Sequence, residues 1–344
     1  MTQAKAMILG CQGTALTDVE VQFFEEHQPW GLILFARNIG TVDEIKALTA
    51  HYRSIVGRAD APVFIDQEGG RVQRIREPIT QRYPTGEALG ALYKADKTAG
   101  MKAARTMSRL HAADLLPLGI NANCLPVLDV PQPGSHDVIG DRAYGHEPQA
   151  VADMGLAAAM GLLDAGVLPV IKHIPGHGRA MVDSHLALPT CDTSREQLEK
   201  IDFEPFKQLA DMPMAMTAHL VYEALDADNP ATTSKKIIRE VIRDFIGFDG
   251  LLMTDDLSMK ALSGDFATKT EASFAAGCDI VLHCNGLMDE MAPVAEATPW
   301  LSGIRQARAE RTMAFVRNYD ENLHDNAQVA SMRNEFNSLF EALA

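Results

Sequence analysis

The stretch "VLPVIKHIPGHG", residues 167–178, is an apolar run that ends in Lys172 and His173 and then turns through Pro175 and Gly176. A short apolar run bounded by turn residues is typical of a strand that is buried on both faces. The polar pair at its end lies where such a strand would leave the sheet. Whether the same pattern recurs along the chain decides the fold.

The pattern recurs seven more times, as "AMILG" (6–10), "GLILFA" (31–36), "APVFID" (61–66), "INANCLPVLD" (120–129), "PMAMTAH" (213–219), "GLLMTDD" (250–256) and "CDIVLHC" (278–284). Helix-like stretches separate these runs, and several begin at a Ser, Thr or Asp cap and end at glycine. Strands that alternate with helices indicate a parallel sheet covered on both faces. Eight such units predict a (β/α)8 TIM-type barrel. A doubly wound open sheet is the alternative, but no GxGxxG motif follows the first run.

We expect the barrel to span residues 1–300, with a charged C-terminal helical segment, 301–344, packed on its outside. The chain has 344 residues, of which 47% are hydrophobic, enough for a core of this size. Its net charge of −15 disfavours nucleic-acid binding, because an acidic protein repels the phosphate backbone. The sequence contains no run of 18 consecutive apolar residues, so we expect no membrane span. The N-terminal apolar run is too short for a secretory signal.

The five cysteines are scattered and include no CxxC pair. They are interpreted as buried free thiols in a reducing compartment, so we expect a cytoplasmic protein.

In a barrel of this type the active site lies at the C-terminal ends of the strands. Almost every predicted strand ends in groups suited to catalysis or polar binding: Arg37, Asn38, Asp66, Gln67, Glu68, Asp129, Lys172, His173, His219, Asp255, Asp256 and His283. This convergence predicts a polar pocket at that end of the barrel.

The stretch "FIDQEGGRVQR" (64–74) ends a strand at Asp66 and continues through two glycines that permit a tight turn. Arg71 and Arg74 share a face if a helical turn follows. One interpretation is a pocket in which Asp66 accepts hydrogen bonds from two sugar hydroxyls and Arg74 donates to others. The alternative is a structural Asp–Arg pair.

The stretch "GLLMTDDLSM" (250–259) brings two adjacent acids to a strand end. Neighbouring side chains of a strand point to opposite sides, so one acid should face the barrel axis and the other can cap the following helix. A single ionised carboxylate at a strand tip suits a nucleophile that forms a glycosyl ester. The alternative is that both acids cap a helix.

In the loop that follows Gly178, one residue separates Asp183 from His185. This spacing lets the carboxylate accept the Nδ1–H of the imidazole, which prepares the ring for general acid/base work. A competing hypothesis is a zinc site that uses His173, His177, His185 and His219 with Asp183. The absence of an HxH pair on the first strand counts against it. Phosphate binding by "PGHG" is weaker still, because no GK[ST] follows.

Three motifs, "DQEGGRVQR", "KHIPGHG…VDSHLALP" and "MTDDLSM", occur in this order and together resemble the signatures of family 3 glycoside hydrolases. More narrowly, they are similar to the bacterial cytoplasmic β-N-acetylglucosaminidases of peptidoglycan recycling. The resemblance implies a retaining, cofactor-free exo-hydrolase. Its substrates would be GlcNAc-1,6-anhydroMurNAc fragments with or without peptide, from which it removes the terminal GlcNAc. A monomer without membrane or nucleic-acid partners is expected.

The resemblance also implies roles for individual residues. Asp255 would be the nucleophile, and His185 the general acid/base, oriented by Asp183. Substrate-binding roles fall on Asp66, Arg74, Arg142, Lys172 and His173, and no metal ligand is implied. Ile174 stands where the family usually has phenylalanine, which keeps an apolar wall but loses a ring. A zinc-dependent barrel hydrolase, a β-GlcNAc phosphorylase and a non-catalytic sugar-binding barrel remain as alternatives.

Overall fold

A computed structural model describes residues 3–180, 188–316 and 326–341. In these ranges the central sheet has eight strand positions: β1 Lys5–Leu9, β2 Pro29–Leu34, β3 Val63–Ile65, β4 Ala122–Asn123, β5 with two segments, Leu168–Pro169 and Ile171–Ile174, β6 Met214–Thr217, β7 Leu251–Asp256 and β8 Ile280–His283. All neighbouring strands pair in parallel, in the order β4, β3, β2, β1, β8, β7, β6. The first segment of β5 pairs with β4 and the second with β6, which closes the ring. The predicted (β/α)8 barrel is confirmed.

The strands are buried on both sides, as their continuous apolar sequences predict. Side chains inside the barrel, among them Ile8, Phe64 and Met253, form one apolar cluster. Residues that alternate with them face outward into clusters shared with the surrounding helices.

The outer layer is formed by helices α1 Asp18–His27, α2 Val42–Ile55, α3 Gly86–Ala95, α4 Lys97–Leu115, α5 Pro148–Asp164, α6 Arg195–Gln197, α7 Glu204–Gln208, α8 Phe266–Ala276, α9 Met288–Ala297, α10 Gly303–Val316 and α11 Asn326–Glu341. Helical segments with π-type hydrogen bonding span Leu198–Asp202 and Ile237–Phe245. Short 3-10 turns span Ala36–Asn38, Leu116–Leu118, Gly140–Arg142 and Ala231–Thr233. Thr17 and Thr41 begin α1 and α2 with capping boxes. In each box the threonine hydroxyl accepts the N–H of a glutamate three residues later, and the carboxylate of that glutamate accepts the N–H of the threonine.

The stretch 193–210, which reads as one helix, is divided into α6, a π-type segment and α7. Pro205 has no backbone N–H to donate to a continuing helix, so a new helix starts at Glu204 with the proline in its first turn.

Two C-terminal helices pack on the barrel. Ala309 and Met313 of α10 join the apolar cluster inside the barrel, and Thr312 Oγ1 donates to the carbonyl of Pro213. The second helix, α11, packs against α4 and buries Phe336. The division into residues 1–300 and 301–344 stays a prediction.

Across the described ranges, no helix combines the length and the apolar character needed to cross a membrane. All five cysteines are buried and free, as expected from their apolar surroundings.

Candidate active site

A cavity of about 450 Å³ opens at the C-terminal ends of the strands. Six of the eight residues assigned a role from the sequence line this cavity: Asp66, Arg74, Arg142, Lys172, His173 and Asp255. The other lining residues are Asp256, Arg71, His136, Asp137, Ile33, Phe35, Val72, Val138, Met216, Met259, Leu282 and Cys284. The predicted polar pocket therefore exists where a barrel places its site.

The segment after Asp66 forms a β-hairpin, with Gln67–Gly69 antiparallel to Val72–Gln73, and the helical turn that would have paired Arg71 with Arg74 does not form. Gly69 and Gly70 have φ angles of 109° and 55°, which favour glycine and make the turn possible. The two arginines separate in consequence. Arg71 binds Asp141 (Nε to Oδ1, 2.8 Å), whereas Arg74 binds Asp66 (Nη2 to Oδ2, 3.0 Å).

A buried ion cluster forms one wall of the cavity. Lys172 Nζ lies 2.8 Å from Asp66 Oδ1 and 2.7 Å from Glu68 Oε1, and only 2% of this lysine is exposed. Arg142 forms a two-point contact with Glu68, Nε to Oε2 at 2.9 Å and Nη2 to Oε1 at 2.8 Å. The cluster thus joins the hairpin after β3, the loop after β4 and the end of β5.

The charges of this cluster support one another. Burial alone would raise the pKa of Glu68, but Arg142 and Lys172 hold it at about 2. Burial is likewise outweighed at Asp66, whose pKa Lys172 and Arg74 hold well below its usual range. The two carboxylates raise the pKa of Lys172 against the effect of burial. All of these groups are therefore charged at neutral pH, with their donors and acceptors fixed for polar recognition.

The last two residues of β7 are adjacent acids with different roles. Asp255 lines the cavity, and its Oδ1 accepts the N–H of Asp256 at 2.8 Å. Burial opposes ionisation of Asp255, but the neighbouring His173 and this N–H are among the groups that hold its pKa below the usual value. An ionised carboxylate in a small cavity can act as a nucleophile.

Asp256 also borders the cavity, but its carboxylate holds a turn. It accepts from Ser258 N at 3.0 Å and Ser258 Oγ at 2.5 Å, and from Cys284 N at 3.1 Å. The prediction that the second acid caps the next helix is wrong, because α8 begins ten residues later with Asp265 as its cap. Asp256 instead ties the end of β7 to the end of β8.

His173 is held by a buried carboxylate. Its Nδ1 lies 2.7 Å from Asp129 Oδ2, and the backbone N–H groups of His173 and His177 both donate to Asp129 Oδ1. Burial would raise the pKa of Asp129, but His173 with its hydrogen bond holds it at about 2. His177 packs edge-on against His173, and burial together with His173 lowers the pKa of His177 to about 4.

His219, one of the candidate zinc ligands, uses both of its ring nitrogens. Nε2 lies 3.1 Å from the carbonyl of Asp256, which only accepts, so Nε2 carries the hydrogen. Burial lowers the pKa of His219, and the neutral ring then accepts from Thr232 Oγ1 at Nδ1, 2.7 Å away. No lone pair of His219 is left for a metal. Within the described ranges, no three His, Cys, Asp or Glu side chains are grouped to hold a metal ion.

Asp183 and His185 lie outside the described residues. The remaining strand-end groups serve the scaffold: Arg37 Nε and Asn38 Nδ2 donate to the carbonyl of Cys11, and His283 Nε2 pairs with Glu290 on α9.

Two members of the site, Glu68 and Asp129, follow strands in the sequence but carry no assigned role there. Their position at the end of an apolar run was the available signal. Their partners, Arg142 and His173, lie 74 and 44 residues away, and only the fold reveals the pairs.

A parallel barrel whose C-terminal end combines ionised carboxylates with fixed cations has the fold and site of a barrel hydrolase. The model of the glycosyl hydrolase family 3 N-terminal domain matches residues 1–317. A β-hexosaminidase of Alkalilimnicola ehrlichii is 39% identical over 283 residues, which are 81% of this chain and 80% of that protein.

Among solved structures, NagZ from Neisseria gonorrhoeae in complex with N-trifluoroacetyl-D-glucosamine is 31% identical, with a TM-score of 0.87 and 98% of both chains covered. NagZ of the same organism in complex with a zinc ion is also 31% identical, with a TM-score of 0.83 over 98% of this chain and 96% of that chain. The chain belongs to glycoside hydrolase family 3. It is a glycosidase of the β-hexosaminidase type, which confirms the resemblance seen in its motifs.

Proposed function

We propose that the protein is a retaining exo-β-N-acetylglucosaminidase that removes terminal non-reducing GlcNAc from peptidoglycan fragments, GlcNAc-1,6-anhydroMurNAc with or without peptide. The observation that carries this proposal is the ionised Asp255 facing a fixed set of cations in a cavity of about 450 Å³. A cavity of that size suits one sugar ring. The Neisseria relative in complex with an N-acylated glucosamine supports the choice of sugar.

In the first step Asp255 attacks the anomeric carbon while His185 protonates the glycosidic oxygen. The bond from carbon to the leaving oxygen breaks, and a glycosyl ester forms on Asp255. Asp183 orients His185 and stabilises its charged form. The low pKa of Asp255 keeps the nucleophile ionised at neutral pH.

In the second step His185 takes a proton from water, and the water oxygen attacks the same carbon. The ester bond breaks, Asp255 is restored, and GlcNAc leaves with its β configuration retained. Asp66, Arg74, Arg142, Lys172 and His173 bind the sugar and hold it in the geometry that both steps need. Asp66, Arg74 and Lys172 are fixed by contacts with one another, Arg142 by Glu68 and His173 by Asp129. These contacts support the binding role, because groups held in place beforehand lose little freedom on binding.

The Asp255→Ala variant tests the nucleophile. Turnover of a chromogenic aryl β-GlcNAc substrate should fall by about three orders of magnitude or more, since removal of a nucleophile leaves only residual catalysis. Thermal unfolding should show an intact fold. Asp137→Ala, which removes an exposed carboxylate from the same cavity, should retain most activity. Near-normal turnover by Asp255→Ala would reject the mechanism.

His185→Ala provides the second arm of this experiment. Its loss should be largest for glycosides with poor leaving groups, because a good leaving group needs little protonation. Equal losses across leaving groups would count against the acid role.

Three alternatives have direct tests. A metal-dependent hydrolase would contain stoichiometric zinc and lose activity with a chelator; the zinc-bound Neisseria structure makes metal analysis worthwhile. A phosphorylase would release GlcNAc-1-phosphate in phosphate buffer, whereas the hydrolase releases GlcNAc. A non-catalytic binder would hold GlcNAc without turnover.

We also propose a cytoplasmic monomer without membrane or nucleic-acid partners. The five buried free thiols and the net charge of −15 support this assignment. A size-exclusion mass near 37.4 kDa is expected.

A further inference from the structure

Asp129 is the last residue of the apolar run 120–129 and is completely buried. Val127 forms a parallel bridge with Lys172, and Leu128 N–H donates to the Lys172 carbonyl at 2.7 Å. This register carries Asp129 to the side of His173. The pairing therefore follows from how the segment after β4 lies along β5.

The carboxylate of Asp129 cannot rotate freely. Its Oδ1 accepts the N–H of His177 at 2.7 Å and that of His173 at 3.2 Å, which leaves Oδ2 for the imidazole. The distance from Oδ2 to His173 Nδ1 is 2.7 Å. An ionised carboxylate only accepts hydrogen bonds, so Nδ1 must carry the hydrogen of this contact. The pKa of Asp129, about 2, is consistent with that state.

The other nitrogen, Nε2, has no hydrogen-bond partner among the described residues, and His173 lines the cavity beside Asp255. We propose that Asp129 is a positioning residue, which fixes the Nδ1–H form of His173 so that Nε2 is presented to a hydroxyl of the substrate. The proposal rests on the proposed function only in that His173 contacts the sugar.

The tautomer decides what kind of group His173 offers. Lys172, Arg74 and Arg142 can only donate, and each oxygen of Asp66 already accepts one hydrogen bond, from Lys172 or from Arg74. When the ring of His173 is neutral, hydrogen on Nδ1 leaves Nε2 as an acceptor that no described residue uses. Asp129 thus adds one acceptor to those of Asp66 and Asp255, although Asp129 itself does not line the cavity.

The test is the Asp129→Asn variant together with nitrogen NMR of protein labelled at histidine. The amide nitrogen of asparagine donates, so it should turn His173 Nδ1 into an acceptor and move the hydrogen to Nε2, as in other carboxylate–histidine pairs. In the unmodified protein, the neutral ring of His173 should show a protonated Nδ1 and a bare Nε2. His173→Gln assigns the signals among the 11 histidines.

The variant should lower kcat/KM on an aryl β-GlcNAc substrate by roughly 10–100-fold, the loss typical of removing a residue that orients a histidine. Asp279→Asn is the matched control: Asp279 is also buried and ion-paired, accepts the Leu252 N–H, and lies at the start of β8, away from the cavity. It should lower stability while leaving the tautomer and kcat/KM unchanged.

Two results would overturn the inference. One is an Nε2–H tautomer in the unmodified protein, which needs no variant to fold. The other is wild-type kcat/KM in a folded Asp129→Asn variant. If the unmodified protein turns over no β-GlcNAc glycoside, the proposed function fails instead, and the tautomer can still be measured.

Discussion

Glu68 is the residue that two cations of the site share. It accepts two hydrogen bonds from Arg142 and lies 2.7 Å from Lys172 Nζ, while only 6% of it is exposed. With Asp66 it provides two negative charges against the three positive charges of Arg74, Arg142 and Lys172. Asp255 supplies the charge that makes the whole set neutral. Glu68 therefore holds in place two of the cations proposed to bind the sugar, and it does not line the cavity itself.

The Glu68→Gln variant should be less stable by roughly 3–5 kcal/mol, because Arg142 loses its buried carboxylate partner and Lys172 keeps only Asp66. KM should rise as Arg142 loses its two-point contact. Urea denaturation and steady-state kinetics measure both effects. Glu240→Gln, at an exposed position, is the control and should change neither.

The same variant has a pH signature. The pKa of Glu68 is lowered from 4.5 to about 2 in the folded protein, so its stabilising effect is fully present above pH 4.5 and is lost as pH falls toward 2. Glu68→Gln should show a shallower loss of stability over this window. An equally steep loss in both proteins would contradict the assigned charge state.

At the residue scale the sequence predicted where the site residues lie better than it predicted which residues they pair with. The strand-end rule placed Asp66, Lys172, His173 and Asp255 at one cavity, which the structure confirms. It did not reveal that Asp129 serves His173, because the two belong to different strands. It also assigned Asp256 to a helix cap, since alternation along a strand says nothing of the turn that follows.

Helix α3 positions the loop that carries Arg142. Gly86 and Gly90, one helical turn apart, face the backbone of that loop: a Cβ on Gly86 would lie 2.2 Å from the Arg142 carbonyl oxygen, and one on Gly90 would lie 1.7 Å from that of Tyr144. Such close approach requires glycine at both positions. The helix is thus set against the loop by backbone contact.

Gly90→Ala should therefore destabilise the protein and weaken substrate binding, although alanine favours a helix by about 1 kcal/mol over glycine. The carbonyl of Tyr144 would have to move, and Arg142 with it. Thermal unfolding and KM are the measurements. Ala91→Gly, at an exposed position of the same helix, should cost about 1 kcal/mol through propensity alone and leave KM unchanged.

At the element scale, periodicity predicted the long helices and strands but not the hairpin at Gln67–Gly69 and Val72–Gln73. Two glycines with positive φ turn the chain back there, and a spacing of three between arginines cannot reveal that choice. The division of residues 193–210 into separate helical segments was not predicted either. Pro205 was the signal for it, but the periodic apolar pattern of the stretch favoured a single helix.

At the scale of the whole molecule, one residue, Tyr83, connects α11 to the hairpin that follows β3. Arg333 donates to the Tyr83 hydroxyl at 3.1 Å and pairs with Asp114, and Tyr83 donates to Asp114 at 2.6 Å. The carbonyl of Tyr83 accepts the N–H of Gly70, in the hairpin turn. The C-terminal helix thus supports the segment that carries Asp66 and Glu68.

Arg333→Met should lower stability by roughly 3 kcal/mol, because the Asp114 side chain, of which only 7% is exposed, loses its cation. Amide hydrogens of α11 should exchange faster, while α4 stays protected. Lys102→Met removes an exposed ion pair with Glu335 in the same interface and should have little effect. Equal effects of the two variants would show that Arg333 has no special role.

The fold as a whole could be predicted because each strand is recognisable as a short apolar run and is followed by a helical pattern. The closure of the ring could not be predicted, because strand pairing depends on all eight strands together. In particular, no sequence pattern showed that β5 has two segments that pair with different neighbours.

That closure has a consequence for how the chain becomes active during synthesis. Asp66 and Glu68 emerge in the first quarter of the chain, Lys172 at its middle and Asp255 in its last third. The cluster that joins them spans 106 residues between Asp66 and Lys172 alone. A nascent chain that has folded only as far as β4 would expose these carboxylates without Lys172 and would lack Asp255, the proposed nucleophile. The appearance of glycosidase activity therefore reports completion of the last strands, and a truncated product cannot cleave sugars prematurely.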